Sequence, residues 1–396
     1  MGGCLSAETE RMKRGTRRLV LLAVWTLVCV VAMGYVLKQV PWHDYATLPD
    51  GRRLQVLEYH HAADGGFDLI TLRQADGSPI NVRPEQLARA GAASDEPRIE
   101  QGLSRIGRRF NWSAGLIGLA IFAPVPWFLG WRLKVLAAVQ SIDLSLVRAT
   151  IITYCGNFLN FFLVGLTGGD VVKALCVSRR TNLKHEAVTM VFFDRVLGLA
   201  CMILLAGAMV LVGWRDPALS GWGLYVGTLV LVCAVAVVAY WSRWLRRVLR
   251  IDRLVEALPL SGHVRRVDQA VLAFGGDRAR VAVAIVATIG AQLFSILAVF
   301  MVARALGMTG SVVAYLVYVP LGWIVAAIPI SFQGLGVMEA AYIQFFVASG
   351  MGVAWQAFAL AMLSRVLQIV WSLPGLPLMP VALAGAKLSE VEDAVP

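Results

Sequence analysis

The sequence predicts an all-α polytopic membrane protein with about six full spans, two inverted broken or re-entrant helical hairpins and a small extracytoplasmic β insertion. Of its 396 residues, 58% are hydrophobic and only 15% are charged, and the mean hydropathy is +0.69. This composition excludes an ordinary soluble domain. Six apolar runs are long enough to cross a bilayer, and two more are interrupted by glycines and a carboxylate, which a continuous span disfavours.

The net charge of +11 could indicate a nucleic-acid partner. The basic residues instead cluster beside apolar runs, as they do in cytoplasmic loops that face anionic lipid. We therefore expect membrane lipids as partners and no nucleic acid. None of the cysteines lies in the hydrophilic stretch 41–106, so the sequence holds no disulfide framework or zinc spacing and implies no cofactor or metal.

Charge and hydropathy divide the chain into four segments. Residues 1–40 are a cytoplasmic N-terminus with a first span at Leu19–Leu37, and residues 41–106 are an extracytoplasmic β-rich insertion. Residues 107–385 form the transmembrane core, and 386–396 a cytoplasmic tail. Both termini are predicted to be cytoplasmic, in a plasma (bacterial inner) membrane.

The insertion shows the alternation of half-buried strands in RRLQVLEYHH and FDLITLRQ, which predicts three or four strands. His60 and His61 could be imagined as metal ligands. Because neighbouring strand residues point to opposite faces, a polar strand edge is the better interpretation. The insertion is also the candidate docking site for a partner protein.

The stretch Asn157–Arg195 organises the rest of the chain. Gly168 and Gly169 interrupt its apolar phase, and Asp170 begins a new helical run. We interpret it as a hairpin that enters and leaves on the cytoplasmic side. Asp170 would complement the positive end of the returning helix, and Lys173 beside it makes a plausible anion site. The alternative is that Asp170 only caps its helix and is neutralised by Lys173.

Two predictions concern the helices that flank this hairpin. A span at Trp112–Leu129 is expected to end at Arg132 and Lys134 on the cytoplasmic side, followed by a short interfacial segment capped by Ser141. The next span begins at Ala187 and carries the neighbours Asp194 and Arg195. They are either an intramembrane functional site or an internal salt bridge near the interface.

A second break follows Val312–Ile330. Gly334 and Gly336 interrupt the helix, and Glu339 falls in the first turn of the next one. Two broken hairpins that enter from opposite sides are the sequence pattern of a transport site at the membrane midplane.

The remaining spans are predicted at Leu224–Trp241, Val281–Val302 and Ala354–Leu373. The basic stretch Arg243–Arg280 between the first two is expected to lie against lipid headgroups. Arg365 lies on an inward face of the last span, and the prolines after it are expected to close that span.

Five motifs in order, GNFLNFFLVGLTGGDVVKA, SRR, DRVLGL, PISFQGLGVMEAA and LSRVL, resemble the flippase-like family that includes the lysylphosphatidylglycerol synthase transmembrane domain and dolichol-phosphate-glucose synthetase-like proteins. The resemblance covers approximately Trp112 to Leu383. The sequence departs from the family pattern at Phe332-Gln333, where Pro-Gly is usual.

The resemblance implies a lipid translocase or lipid-binding transporter for an anionic or phosphate-bearing lipid, of the phospholipid or polyprenyl-phosphate type. It implies headgroup-binding positions at Gly168, Gly169, Asp170, Lys173, Asp194, Arg195, Gly334, Gly336, Glu339 and Arg365.

Two alternatives remain. One is a membrane-embedded enzyme or accessory subunit of lipid-linked glycosyl or aminoacyl transfer. We expect no enzyme, because no nucleotide-binding motif is visible. The other is a scaffold whose external ribbon recruits a partner.

Overall fold

The computed structural model describes residues 42–61, 67–74, 76–91, 94–97, 99–100, 102–103, 110–162, 168–178, 184–219, 276–328 and 331–383, together with residues 34, 221, 227–228, 230–232 and 235. The predicted spans Leu19–Leu37 and Leu224–Trp241, the basic stretch Arg243–Arg280 and the tail lie wholly or largely outside these residues.

The insertion folds as a five-stranded antiparallel sheet of order β4-β3-β2-β1-β7 with a separate two-stranded hairpin β5-β6. The strands are β1 (Tyr45–Thr47), β2 (Arg53–His61), β3 (Phe67–Arg73), β4 (Pro79–Val82), β5 (Arg89–Gly91), β6 (Ser94–Pro97) and β7 (Ile99–Glu100). The prediction of three or four strands was too low, because β1 and β7 are too short to show an alternating pattern and exist through backbone pairing with their neighbours.

One face of the sheet carries a small core that includes Ala46, Ile70 and Leu72. His60 Nε2 lies 3.0 Å from the hydroxyl of Thr71 on the neighbouring strand, as a polar residue on a strand face would.

Ten helices follow. They are α1 (Trp112–Phe122), α2 (Val125–Val139), α3 (Leu146–Phe162), α4 (Gly168–Ser178), α5 (Lys184–Val212), α6 (Arg278–Ala305), α7 (Val312–Ala326), α8 (Val337–Tyr342), α9 (Ala354–Ser372) and α10 (Gly375–Leu383). This list covers only the part of the chain that the structure describes.

Four of the six predicted spans are confirmed as helices long and apolar enough to cross a membrane. They are Trp112–Val139, which joins α1 and α2 across a short turn, Glu186–Val212, Arg278–Ala305 and Ala354–Ser372.

The prediction that the first of these ends at Leu129 was wrong. The helical path continues to Val139, and Arg132 is buried within it. Pro126 lies in the first turn of α2, where a missing N–H breaks no helical hydrogen bond, so it starts this helix and does not weaken the one before. Arg132 can stay inside because it meets a buried carboxylate.

One helix boundary also differs from the prediction. Ser141 is not a cap: it adopts a left-handed turn with φ 58°, and it is the Ser145 hydroxyl that accepts a hydrogen bond from the N–H of Arg148 at 3.4 Å. No separate interfacial segment forms, because α3 runs directly from Leu146 towards the first break. The last span ends where the prolines predicted: α9 stops at Ser372, just before Pro374, and a separate helix, α10, starts at Gly375.

The first hairpin is formed by α3 and α4, which pack closely through glycines. A methyl group on Gly156 would overlap the stem of Lys173, and one on Gly169 would overlap the carbonyl oxygen of Gly156. Helices α3 and α4 therefore lie side by side. Residues 163–167, which include the predicted interruption at Thr167, lie outside the described residues.

The second hairpin is formed by α7 and α8. Gly322 lies against the ring of Tyr342, and Gly334 lies against Ala326, so α8 also packs back along α7. The helix is interrupted at Gln333, Gly334 and Gly336, whose φ angles of 52°, 67° and 80° are all left-handed. The predicted break is confirmed, and Glu339 lies in the first turn after it.

Candidate functional site

The tips of the two hairpins meet. The side-chain amide of Gln333 donates a hydrogen bond to the backbone carbonyl of Asn160 near the end of α3. The Asn160 side chain in turn accepts the N–H of Gly169 at 3.0 Å. Over the described residues, the helices of one hairpin do not pack along those of the other. The breaks are therefore the part of each hairpin that contacts the other.

A first charge cluster lies at the tip of the first hairpin. The Asp170 carboxylate is buried in the first turn of α4, where it faces the positive end of that helix. Arg195 Nε lies 2.5 Å from its Oδ2, and Lys173 Nζ lies 3.7 Å from its Oδ1. Lys173 also donates to the side chain of Asn157 at 3.4 Å. Asp170 is thus neutralised by Lys173, as one alternative expected, and by Arg195 as well.

The same cluster contains a buried ion pair that sequence reasoning missed. Arg132 Nη2 donates to Asp194 Oδ2 at 2.7 Å, and Arg132 Nε lies 2.5 Å from Asp194 Oδ1. Asp194 and Arg195 do not pair with each other, because adjacent residues on a helix point in different directions. This rule could have revealed the ion pair from the sequence, because a buried Asp194 carboxylate that cannot reach Arg195 requires another cation. Lys173 lies within electrostatic range of both Asp194 and Arg132, which joins the two ion pairs into one cluster.

A second charge cluster holds the break of the second hairpin. Glu339 is fully buried, and its Oε2 accepts the N–H of Gly336 at 2.6 Å. Arg365 Nε lies 2.9 Å from Glu339 Oε1, while its two terminal nitrogens donate to the carbonyl oxygens of Gln333 at 2.7 Å and Gly334 at 3.1 Å. A single guanidinium therefore satisfies both a buried carboxylate and the carbonyls that the helix break leaves free.

Further polar groups lie beside the second cluster. The Tyr342 hydroxyl is fully buried next to Glu339 and Arg365, and the Ser364 hydroxyl and the Trp323 indole are its polar neighbours. Buried polar groups are normally satisfied, by protein or by ordered water. The interior of the second hairpin therefore contains polar side chains besides its ion pair.

The ten predicted positions fall into these two clusters. Gly168 and Gly169 begin α4 beside Asp170, Lys173 and Arg195, while Gly334, Gly336, Glu339 and Arg365 surround the second break. Asp194 joins the first cluster through Arg132. Among the described residues, no ion pair joins one cluster to the other, and they are connected through Gln333 and Asn160.

The clusters carry a surplus of positive charge. Four cations, Arg132, Lys173, Arg195 and Arg365, face the three carboxylates of Asp170, Asp194 and Glu339. Arg195 is also the accessible member, because its side chain is 54% exposed while that of Arg365 is 14% exposed and those of Arg132 and Lys173 are less. An anion can therefore reach the first cluster through Arg195. No group of three or more metal-ligating side chains occurs in the described ranges.

Both clusters lie within a segment that matches a known family. The family model described as the lysylphosphatidylglycerol synthase TM region matches residues 99–375. The chain belongs to this family. It is accordingly a membrane protein related to lipid modification or translocation. A search of curated proteins and a search of solved structures gave no match.

Proposed function

We propose that this member of the family is a lipid translocase or lipid-binding transporter for an anionic or phosphate-bearing lipid, either a phospholipid or a polyprenyl-phosphate lipid. The observation that carries the proposal is the position of Arg195. This residue belongs to a buried, net-positive charge cluster at the tip of a helical hairpin and still presents more than half of its side chain outside the protein interior.

The chemistry of Arg195 fits a phosphate ligand. Its described contact with Asp170 uses Nε, which leaves the terminal guanidinium nitrogens for a ligand. Guanidinium groups bind phosphate through paired, charge-assisted hydrogen bonds. Asp170 holds Arg195 in place, and the headgroup binds there while the acyl or prenyl chains stay among the bilayer lipids.

The meeting of the hairpin tips supports movement across the membrane. If the two hairpins enter from opposite sides, their contact would bring a polar site near the membrane midplane, as in inverted-repeat transporters. The described contact between the tips is one side-chain hydrogen bond, so little must be broken for them to separate. The proposal places both chain termini on the cytoplasmic side of a bacterial inner membrane. Labelling of single cysteines at each end in sealed vesicles tests this orientation.

The test is transport by the purified protein in liposomes that contain labelled phospholipids and polyprenyl-phosphate lipids. Wild-type protein should move or retain at least one of these lipids, and Arg195→Gln should reduce that activity about tenfold because a charge-assisted contact is lost. Arg278→Gln is the matched control, since Arg278 is exposed and its side chain makes no hydrogen bond or ion pair among the described residues. Absence of both movement and retained lipid across the panel would contradict the proposal.

The family description, which names a synthase, favours a second candidate, a membrane-embedded enzyme or accessory subunit of lipid-linked group transfer. The two differ in the behaviour of Asp170→Asn. A transporter should lose lipid binding and movement together, whereas an enzyme should lose product formation with lipid binding intact.

A role for the insertion in recruiting a partner protein is tested separately. Deletion of residues 45–105 should leave lipid binding by the core unchanged if the core transports lipid. If the protein is instead a scaffold, the same deletion should abolish recruitment of the partner protein.

A further inference from the structure

A separate pocket lies at the opposite end of the first hairpin from its tip. Its volume is about 330 Å³, and its walls include Lys134 of α2, Asp143 in the turn that follows, Ser145 and Arg148 at the start of α3, and Cys176 near the end of α4. This volume is at the lower end of the range typical of ligand pockets, roughly 300–1,000 Å³.

The pocket is distinct from both charge clusters. Arg148 precedes Asn160 by about three turns of α3, which places it roughly 18 Å from the hairpin tip along the helix axis. None of the pocket residues takes part in the ion pairs of Asp170, Asp194 or Glu339.

The cations of the pocket are not neutralised by the protein. No carboxylate in the described chain lies within 4 Å of the charged nitrogens of Lys134 or Arg148, and this includes Asp143 in the same pocket. Two cations against one acid leave the pocket with a net positive charge. The buried cations of the charge clusters, in contrast, each have a carboxylate partner.

We infer that this pocket is a second binding site, specific for a phosphate group carried by a lipid headgroup or by a small soluble phosphate ester. The Arg148 guanidinium and the Lys134 ammonium supply complementary charge-assisted hydrogen bonds, and the first turn of α3 adds the positive end of a helix. Asp143 faces the same space, where it accepts a hydrogen bond from a hydroxyl or amino substituent of the ligand. Ile142, Leu144 and Val177 form the apolar wall against which a glycerol or acyl portion packs.

Phosphate binding in this pocket does not depend on the proposed transport activity. The proposed function contributes only the position of the pocket, at the cytoplasmic surface of the membrane. A lipid bound in this pocket would lie beside the first hairpin, at the end through which that hairpin enters the membrane.

The experiment uses the full chain with Arg195→Gln as background, so that lipid bound at the first charge cluster does not contribute. The protein is placed in phosphatidylcholine nanodiscs with a minor fraction of phosphatidylglycerol, and retained phosphatidylglycerol is counted by native mass spectrometry. Adding Arg148→Gln with Lys134→Gln should lower retention about tenfold, while adding Arg278→Gln should leave it unchanged. Arg148→Lys should keep most of the binding, because it keeps the charge.

The two sources of phosphate are separated by titration with inorganic phosphate and glycerol 3-phosphate in detergent without anionic lipid. Binding of either one that Arg148→Gln removes would assign the pocket to a soluble phosphate ester, and loss of lipid retention alone would assign it to a headgroup. The inference would be overturned if the pocket variants and the Arg278→Gln control retained the same amount of phosphatidylglycerol and bound the two soluble phosphates equally well. Wild-type protein that moves no lipid, and whose lipid retention Arg195→Gln leaves unchanged, would overturn the proposed function and leave this result standing.

Discussion

Gln333 and Asn160, which lie 173 residues apart in the sequence, are joined by a hydrogen bond from the Gln333 side-chain amide to the Asn160 carbonyl. This contact links the break of the second hairpin to the end of α3. Since Asn160 also binds the N–H of Gly169, the two breaks share one chain of hydrogen bonds.

Cross-linking tests the contact between the tips. Cysteines introduced at Asn160 and Gln333, with the native cysteines replaced, should be joined by a short bifunctional reagent in high yield. The pair Asn160→Cys with Ser349→Cys is the control and should not react. Equal yields for both pairs would show that the tips do not meet in the membrane.

The buried pair of Arg132 and Asp194 should make a large contribution to stability. Either Arg132→Gln or Asp194→Asn leaves one charge buried without its partner, at a cost of about 3–5 kcal/mol. The free energy of unfolding in detergent measures this loss, and Arg278→Gln serves as the exposed control. In a double-mutant cycle, the second substitution should cost much less than the first. Additive losses would mean that the two residues do not act as a pair.

Gly169→Ala should disrupt the first hairpin. The added methyl group would overlap the carbonyl oxygen of Gly156 and the side chain of Asn160, so the helices must separate. We expect a destabilisation of about 1–3 kcal/mol, from overpacking at the contact, together with loss of lipid binding. Gly276→Ala is the matched control, because no atom lies within 4 Å of the methyl group that it would add. Unchanged stability for Gly169→Ala would contradict the close approach of α3 and α4.

Arg365→Lys should fail to replace arginine at the second break. An ammonium is a compact donor and cannot span Glu339 Oε1 and the carbonyls of Gln333 and Gly334 as the guanidinium does. We expect the free energy of unfolding to fall by about 1–3 kcal/mol, because these carbonyls are left without a hydrogen-bond donor. Thermal unfolding and cysteine accessibility at the break measure it. A lysine variant as stable as the wild type would show that the charge alone holds the break.

The sequence was most informative where a pattern is local. The four confirmed spans follow from long apolar runs, and the second break follows from Gly334 and Gly336 before an acid, because only glycine adopts left-handed backbone readily. It was least informative at positions whose role depends on a distant partner. Arg132 looked like a residue at the end of a span, since nothing within its own helix reveals a carboxylate on α5.

By itself, the sequence determined that this is a membrane protein of its family, that its helices break at two glycine-rich points, and that acids start the helices after those breaks. These properties depend on hydropathy and backbone conformation, which neighbouring residues set. The tertiary structure decided which base neutralises which acid, that the breaks touch through Gln333, and that Lys134 and Arg148 remain unpaired around a pocket. Ion pairing depends on distances between side chains on different helices, and packing alone fixes those distances.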